Sequence, residues 1–320
     1  MAVIDISQVT NVTLYTGDNG SGACTCSCPA CSQKGRERRY QGTVEQADKM
    51  FALLPNLEHI YVLGNPDPSV DAKFCNLVMR EAVKRKIKVA FSTSGIGGEK
   101  VIKTLLKNIP PEMVDYCSFS YDSTTSEGMS LYKGVNYPME YSLSGLDWAI
   151  TNKYTVKVQP TLWNSNYKNV EEIIKFFRAR GVKWFTFHVG SLEAGVYLPT
   201  HKHITEYQLE SVHRQIDIVA RTHPEIKVRC PDFFMHEVWD GKYYCMNPSS
   251  CVELMLCFEE TGKIRATHAP IAASYTNKLS WNLGEEADVP KLKGCFKCPF
   301  SYRLTGRETK CRFLSKYWNY

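Results

Sequence analysis

From Asn11 to about Arg229 the chain alternates two hydrophobic patterns. Short β-branched and aromatic runs predict strands at Val12–Thr16, His59–Leu63, Lys88–Ser92, Tyr116–Tyr121, Thr155–Leu162, Trp184–His188 and Ile226–Arg229. Between them lie stretches of helical periodicity: Val44–Leu54, Ala72–Lys86, Lys100–Lys107, Leu143–Asn152, Val170–Arg180 and Glu206–Ala220. Val170, Ile173, Ile174 and Phe177 fall at i, i+3, i+4 and i+7, one apolar stripe along a helix. Asn169 before that helix, with Glu172 three residues on, predicts a capping box, and Gly181 predicts its stop. Strands alternating with helices argue for βα units and a parallel α/β sheet, open or closed into a barrel. In such sheets the chemistry collects at the carboxyl ends of the strands.

Beyond about Pro231 the alternation gives way to aromatics, cysteines and short turns, with a hairpin predicted from Val252–Phe258 and Lys263–Thr267 about Gly262. Two domains are therefore expected, residues 1–235 and a smaller cysteine-rich unit over 236–320. The apolar share of 43% is ample for a buried core. Lys and Arg number 39 against 33 Asp and Glu, a mild and scattered excess that does not make nucleic acid an expected partner. No apolar run approaches the ~20 residues of a membrane span. Met1–Asn11 lack the pattern of a secretory signal, so a cytoplasmic protein is expected.

Cysteine usage changes the picture most. Of 13 cysteines, four lie within 24–31 and six between 245 and 311, leaving Cys75, Cys117 and Cys230 alone. In a reducing compartment, clustered thiols point to metal rather than disulfides. Cys24, Cys28 and Cys31 form CxxxCxxC after the first long strand, with Cys26 as an extra thiol. Three thiolates suit a [4Fe–4S] cluster with one open iron. Zinc, which usually wants a fourth ligand, and incidental cysteines are the alternatives.

CxxxCxxC in this position resembles the signature of the radical S-adenosylmethionine (SAM) superfamily. Gly64, Asn65 and Pro66 after the second strand resemble a variant of the family's GGE segment, with Asp67 the nearest acid. Thr93-Ser94-Gly95 stands where related members carry Thr-Asn-Gly, Ser118, Ser120 and Asp122 resemble a Ser-x-Asp strand, and Asn164 is placed like a pocket-lining polar residue. His188 at the end of the sixth strand is the best histidine for the pocket. Ala30 departs from the aromatic residue usual before the last cysteine. The resemblance covers residues 12–200. It implies a partial (β/α)6 barrel, an open-iron cluster on Cys24, Cys28 and Cys31, and SAM as cofactor.

Cys295-x-x-Cys298 with Cys311 resembles the auxiliary-cluster domains of the same superfamily, called SPASM or Twitch. Cys251 precedes Gly262 at a fitting distance, while Thr267 stands where a further cysteine is expected. One auxiliary [4Fe–4S] cluster on Cys251, Cys295, Cys298 and Cys311 is implied, with Cys245 or Cys257 as a replacement for Cys251. A structural zinc or free thiols are the alternatives. The implied activity is hydrogen-atom abstraction by a 5′-deoxyadenosyl radical from a C–H centre of a natural-product or peptide substrate. Epimerisation, with Cys230, Cys245 or Cys257 as hydrogen donor, is favoured over dehydrogenation or cross-linking with the auxiliary cluster as electron acceptor. A flavodoxin or ferredoxin type of reductase is the implied partner. From another class, a non-catalytic zinc- or nucleic-acid-binding module would leave the βα order unexplained.

Overall fold

In the computed structural model, residues 2–3, 9–17, 24–29, 31, 40–64, 67–189, 204–229, 236–239, 242–245, 252–259, 261–268, 280–282 and 288–289 are described. The elements in chain order are β1 (Ala2–Val3), β2 (Val9–Tyr15), α1 (Val44–Leu53), β3 (His59–Gly64), α2 (Ala72–Lys84), β4 (Lys88–Thr93), α3 (Gly98–Leu105), β5 (Val114–Phe119), α4 (Ser126–Lys133) and α5 (Met139–Thr151). They continue with β6 (Val156–Val158), β7 (Thr161–Leu162), α6 (Val170–Arg178), β8 (Trp184–Thr186), β9 (His188–Val189), α7 (Glu206–Thr222), β10 (Lys227–Arg229), β11 (His236–Trp239) and β12 (Lys242–Cys245). The last are β13 (Val252–Phe258), β14 (Ile264–His268), β15 (Ser280–Asn282) and β16 (Asp288–Val289). The expected α/β class is observed. Two compact units divide the chain: 1–121 with 125–157 and 251–291, and 122–124 with 158–250 and 292–320.

In the first unit the strand order runs β15-β14-β13-β2-β3-β4-β5. β13, β2, β3, β4 and β5 are parallel, and β14 and β15 fold back antiparallel. The predicted hairpin is β13–β14, and Gly262 in its turn has φ +78°, the left-handed region glycine favours. One sheet face carries Val12, Leu14, Ile60, Val62, Val89, Phe91, Cys117 and Phe119, all buried with Met50, Val78, Met79 and Ile102 of the helices. Each such side chain contributes roughly 1.5–3 kcal/mol. The other face is polar and aromatic. Tyr61 and Tyr116 lie 5.7 Å apart between ring centroids, and the buried Lys157 ammonium sits 3.8 Å over the Tyr116 ring. The period of two puts the core on one face and leaves the second for chemistry.

In the second unit β8 and β10 are parallel, β10, β11 and β12 form an antiparallel run, and β7 pairs with β9. The predicted stripe Val170, Ile173, Ile174 and Phe177 is the buried face of α6. Two expectations are corrected here. The strand expected over Thr155–Leu162 is split, because Pro160 has no N–H for a ladder; instead its carbonyl accepts from His188 N at 3.0 Å. The capping box at Asn169 does not form: Asn169 makes no side-chain cap, and Glu172 accepts from the Thr124 hydroxyl at 2.5 Å. Capping boxes form instead at Thr43/Gln46 and Thr205/Gln208.

Candidate metal centre

The cysteine loop leaves β2 at Thr16 and docks on the carboxyl end of α4. Ser27 N donates to Lys133 O at 2.8 Å, and Cys31 N donates to Cys28 O at 3.1 Å. Gly134, the left-handed cap of α4 at φ +65°, is required by this contact: a Cβ there would lie 2.1 Å from Ser27 O. Cys24, Cys28 and Cys31 are half-buried, whereas Cys26 is only 4% exposed. Cys26 N donates to Cys24 Sγ at 3.4 Å. A hydrogen bond from the Cys26 thiol, aided by that N–H, holds the Cys24 thiol below its ordinary pKa, while burial and the nearby Asp67 work against this. The same bond to Cys24 pushes Cys26 up to about 11, opposed by Cys28, Ser94 and the Lys133 charge. The loop thus favours charge on Cys24 and a protonated Cys26.

Around the loop stand groups from three parallel strand ends. Asp67, after β3, accepts from Ser69 N at 2.8 Å, Thr93 Oγ1 at 2.9 Å and Ser94 N at 2.6 Å, tying the ends of β3 and β4 together. The Ser94 hydroxyl is buried, makes no hydrogen bond of ordinary geometry, and faces the Cys26 thiol. Tyr137 of the α4–α5 connection donates to Ser94 O and shares Ser142 Oγ with Tyr121, which buttresses this turn from behind. Ser118 is fully buried on β5, and burial drives the Tyr61 phenol strongly up despite hydrogen bonds from Ser92 and Ser118. Lys133, 5% exposed, donates from Nζ to Ser120 Oγ at 3.0 Å.

The structure therefore brings Cys24, Cys28, Cys31, Gly64, Ser94, Ser118 and Ser120 into one unit, on the loop and at the strand ends. Asp122, Asn164 and His188 belong to the second unit. There Asp122 is buried and accepts from Thr161 N at 2.6 Å. Asn164 and His188 are half-buried. Asn65, Pro66, Cys230, Cys251, Cys295, Cys298 and Cys311 lie outside the described residues. Cys245 and Cys257 are described as strand positions, Cys257 in register with Tyr15, the last residue of β2. Cys75 and Cys117 are buried, as expected of core thiols.

Sequence reasoning missed two residues. Asn166 is a fixed amide of its turn, bonding Trp163 N at 2.7 Å, Thr161 O at 2.9 Å and Asp122 O at 3.2 Å. Lys133 was missed because a lysine on a short helix reads as solvated; Gly134 beside it was the available signal of close approach.

Among the described residues no three His, Cys, Asp or Glu side chains converge as ligands of one metal ion. Thiolates of a [4Fe–4S] cube each take a different iron, so they need no common point. Three thiols on one short loop, beside a buried ammonium that offsets negative charge, fit that group as a donor set. No helix among the described residues is long and apolar enough to cross a membrane.

No family model and no curated protein matches the chain at the level of sequence. Solved structures do match in fold. Streptococcus suis SuiB bound to its precursor peptide SuiA aligns over 89% of this chain and 66% of its own, with a TM-score of 0.63 and 14% identity. SuiB bound to S-adenosylmethionine aligns over 86% of this chain and 63% of its own, with a TM-score of 0.62 and 14% identity. anSMEcpe with bound AdoMet aligns over 69% of this chain and 63% of its own, at 0.56 and 14%. The chain thus spans about two thirds of the length of these proteins. It shares the α/β fold of these structures.

Proposed function

We propose that the protein is a radical SAM enzyme acting on a peptide or related natural product. The observation that carries this is the CxxxCxxC loop, seated beside buried Lys133 and Ser94 at the carboxyl ends of parallel strands, in a fold shared with SAM-bound structures. Cys24, Cys28 and Cys31 would hold the cluster. Gly64, Asn65, Pro66, Ser94, Ser118, Ser120, Asp122, Asn164 and His188 would line the SAM site, and the Lys133 ammonium would face the carboxylate of SAM. The cluster and SAM, when bound, supply a carbon-centred radical able to remove a hydrogen atom from an unactivated C–H bond.

A peptide substrate is supported by SuiB and anSMEcpe, whose structures were solved with the SuiA and Kp18Cys peptides. For the outcome, epimerisation is favoured, with a thiol of Cys230, Cys245 or Cys257 returning hydrogen to the opposite face. Oxidation through an auxiliary cluster on Cys251, Cys295, Cys298 and Cys311 is the second reading, with residues 236–320 as its domain. A flavodoxin or ferredoxin reductase would supply electrons. The test is iron and sulfide content after anaerobic reconstitution, with EPR of the dithionite-reduced protein with and without SAM. A [4Fe–4S] signal perturbed by SAM is expected; bound zinc with no iron–sulfur signal would overturn the reading.

A further inference from the structure

Beneath the cysteine loop lies a buried polar cluster that neither cluster nor SAM binding employs. The Thr16 hydroxyl donates to Asp71 Oδ2 at 2.7 Å, and the Cys75 thiol donates to Asp71 Oδ1 at 3.1 Å. Thr16 Oγ1 and Cys75 Sγ are themselves 3.8 Å apart. Thr16 and Cys75 are fully buried and Asp71 nearly so. Asp71 and Cys75 are one helical turn apart at the start of α2, so the rigid helix presents both groups to one place. A buried carboxyl with a donor on each oxygen is costly to disturb, because removing a donor leaves a buried acceptor unpaired.

Thr16 is also where the cysteine loop begins and ends. Its N–H donates to Gly64 O at 3.3 Å, and its carbonyl accepts from Gly42 N at 2.7 Å, so both ends of the 17–41 segment meet at this residue. Gly42 leaves no slack there: a Cβ on it would lie 2.1 Å from Phe258 Cδ2 and 2.8 Å from Thr16 O.

We propose that Thr16, Asp71 and Cys75 form a latch at the root of the cysteine loop, with Asp71 a positioning residue that acts through Thr16 on the placement of Cys24, Cys28 and Cys31. The purpose assigned to the latch rests on the cluster reading of the loop, but its existence does not. The deciding experiment is therefore made on metal-free protein: iodoacetamide alkylation under anaerobic conditions, followed residue by residue by mass spectrometry. Thr16→Val keeps the side chain's shape and removes the hydroxyl. It is expected to speed alkylation of Cys24 and Cys28 about tenfold, as loss of a hydrogen bond to a carboxylate implies, while Cys117, buried on β5, stays protected. Thr16→Ser restores the hydroxyl and should return the rates to within about threefold of the unsubstituted protein. Asp71→Ala should loosen the loop as Thr16→Val does.

Unchanged loop alkylation in Thr16→Val overturns the proposal. So does equal exposure of Cys117, which would mean general loosening. In reconstituted protein, Thr16→Val should release iron to a chelator faster by a similar factor. If the unsubstituted protein takes up no iron, the functional reading fails, and the alkylation rates still decide the latch.

Discussion

Single side chains at the site are held by contacts that their neighbours in sequence do not announce. Lys133 is a charge kept almost out of water, and such a group needs partners or anionic company. Its ammonium donates to the Ser120 hydroxyl, and its field reaches Cys26. Replacing it by Met keeps the stem and removes the charge. Lys133→Met should weaken SAM binding by about ten- to a hundredfold, as loss of a charge-assisted bond implies, with iron content unchanged, measured by equilibrium binding to reconstituted protein. Gly134→Ala should be worse for the fold. It forces a Cβ into φ +65° and onto Ser27 O, and should cost at least about 2 kcal/mol, read from urea unfolding together with reduced iron uptake.

At the scale of elements, one side chain joins a helix to a hairpin. Gln46 closes the α1 capping box, where Thr43 N donates to its Oε1 at 3.0 Å, and the Tyr40 hydroxyl donates to the same oxygen at 2.7 Å. Its Nε2 reaches Glu259 O and Lys263 O of the β13–β14 turn at 2.9 and 3.0 Å. One amide thereby caps a helix and anchors a hairpin more than 200 residues away. Thr43→Ala removes only the cap and should cost about 1 kcal/mol. Gln46→Leu also removes both bonds to the turn, whose carbonyls keep the backbone bonds from Gly262 N and Glu259 N, and should cost about twice that in urea denaturation.

On α7, burial lowers the pKa of His213 below its ordinary 6.5. A depressed value in the folded state means the unfolded chain takes up the proton first as pH falls. This contribution to stability is present above about pH 6.5 and is lost as pH falls through the folded value. His213→Leu should flatten that part of the stability–pH profile, and an unchanged slope would show that another group carries it.

At the scale of the whole molecule the prediction concerns how many clusters the chain holds. About eight irons per chain would correspond to two [4Fe–4S] clusters, and about four to the first alone. Ala at Cys24, Cys28 or Cys31 should abolish the SAM-sensitive EPR signal. Ala at Cys295 or Cys298 should remove a second signal and spare the first.

The sequence alone determined what depends on near neighbours along the chain: the alternation of strands and helices, the α6 stripe, the Gly262 hairpin and the CxxxCxxC spacing, all set by side-chain period and local backbone preference. Tertiary structure decided what depends on residues distant in sequence. β13 lies beside β2, far from it in the chain, because strand pairing is a long-range choice among similar apolar runs. Glu172 left its cap for Thr124 because a hydroxyl from another segment came within reach. Lys133 and Ser94 became groups of the site, and Asp71 the buried partner of Thr16, only once strand ends and helices enclosed them. Burial and the fields of distant charges arise from packing, and a residue's type by itself does not record them.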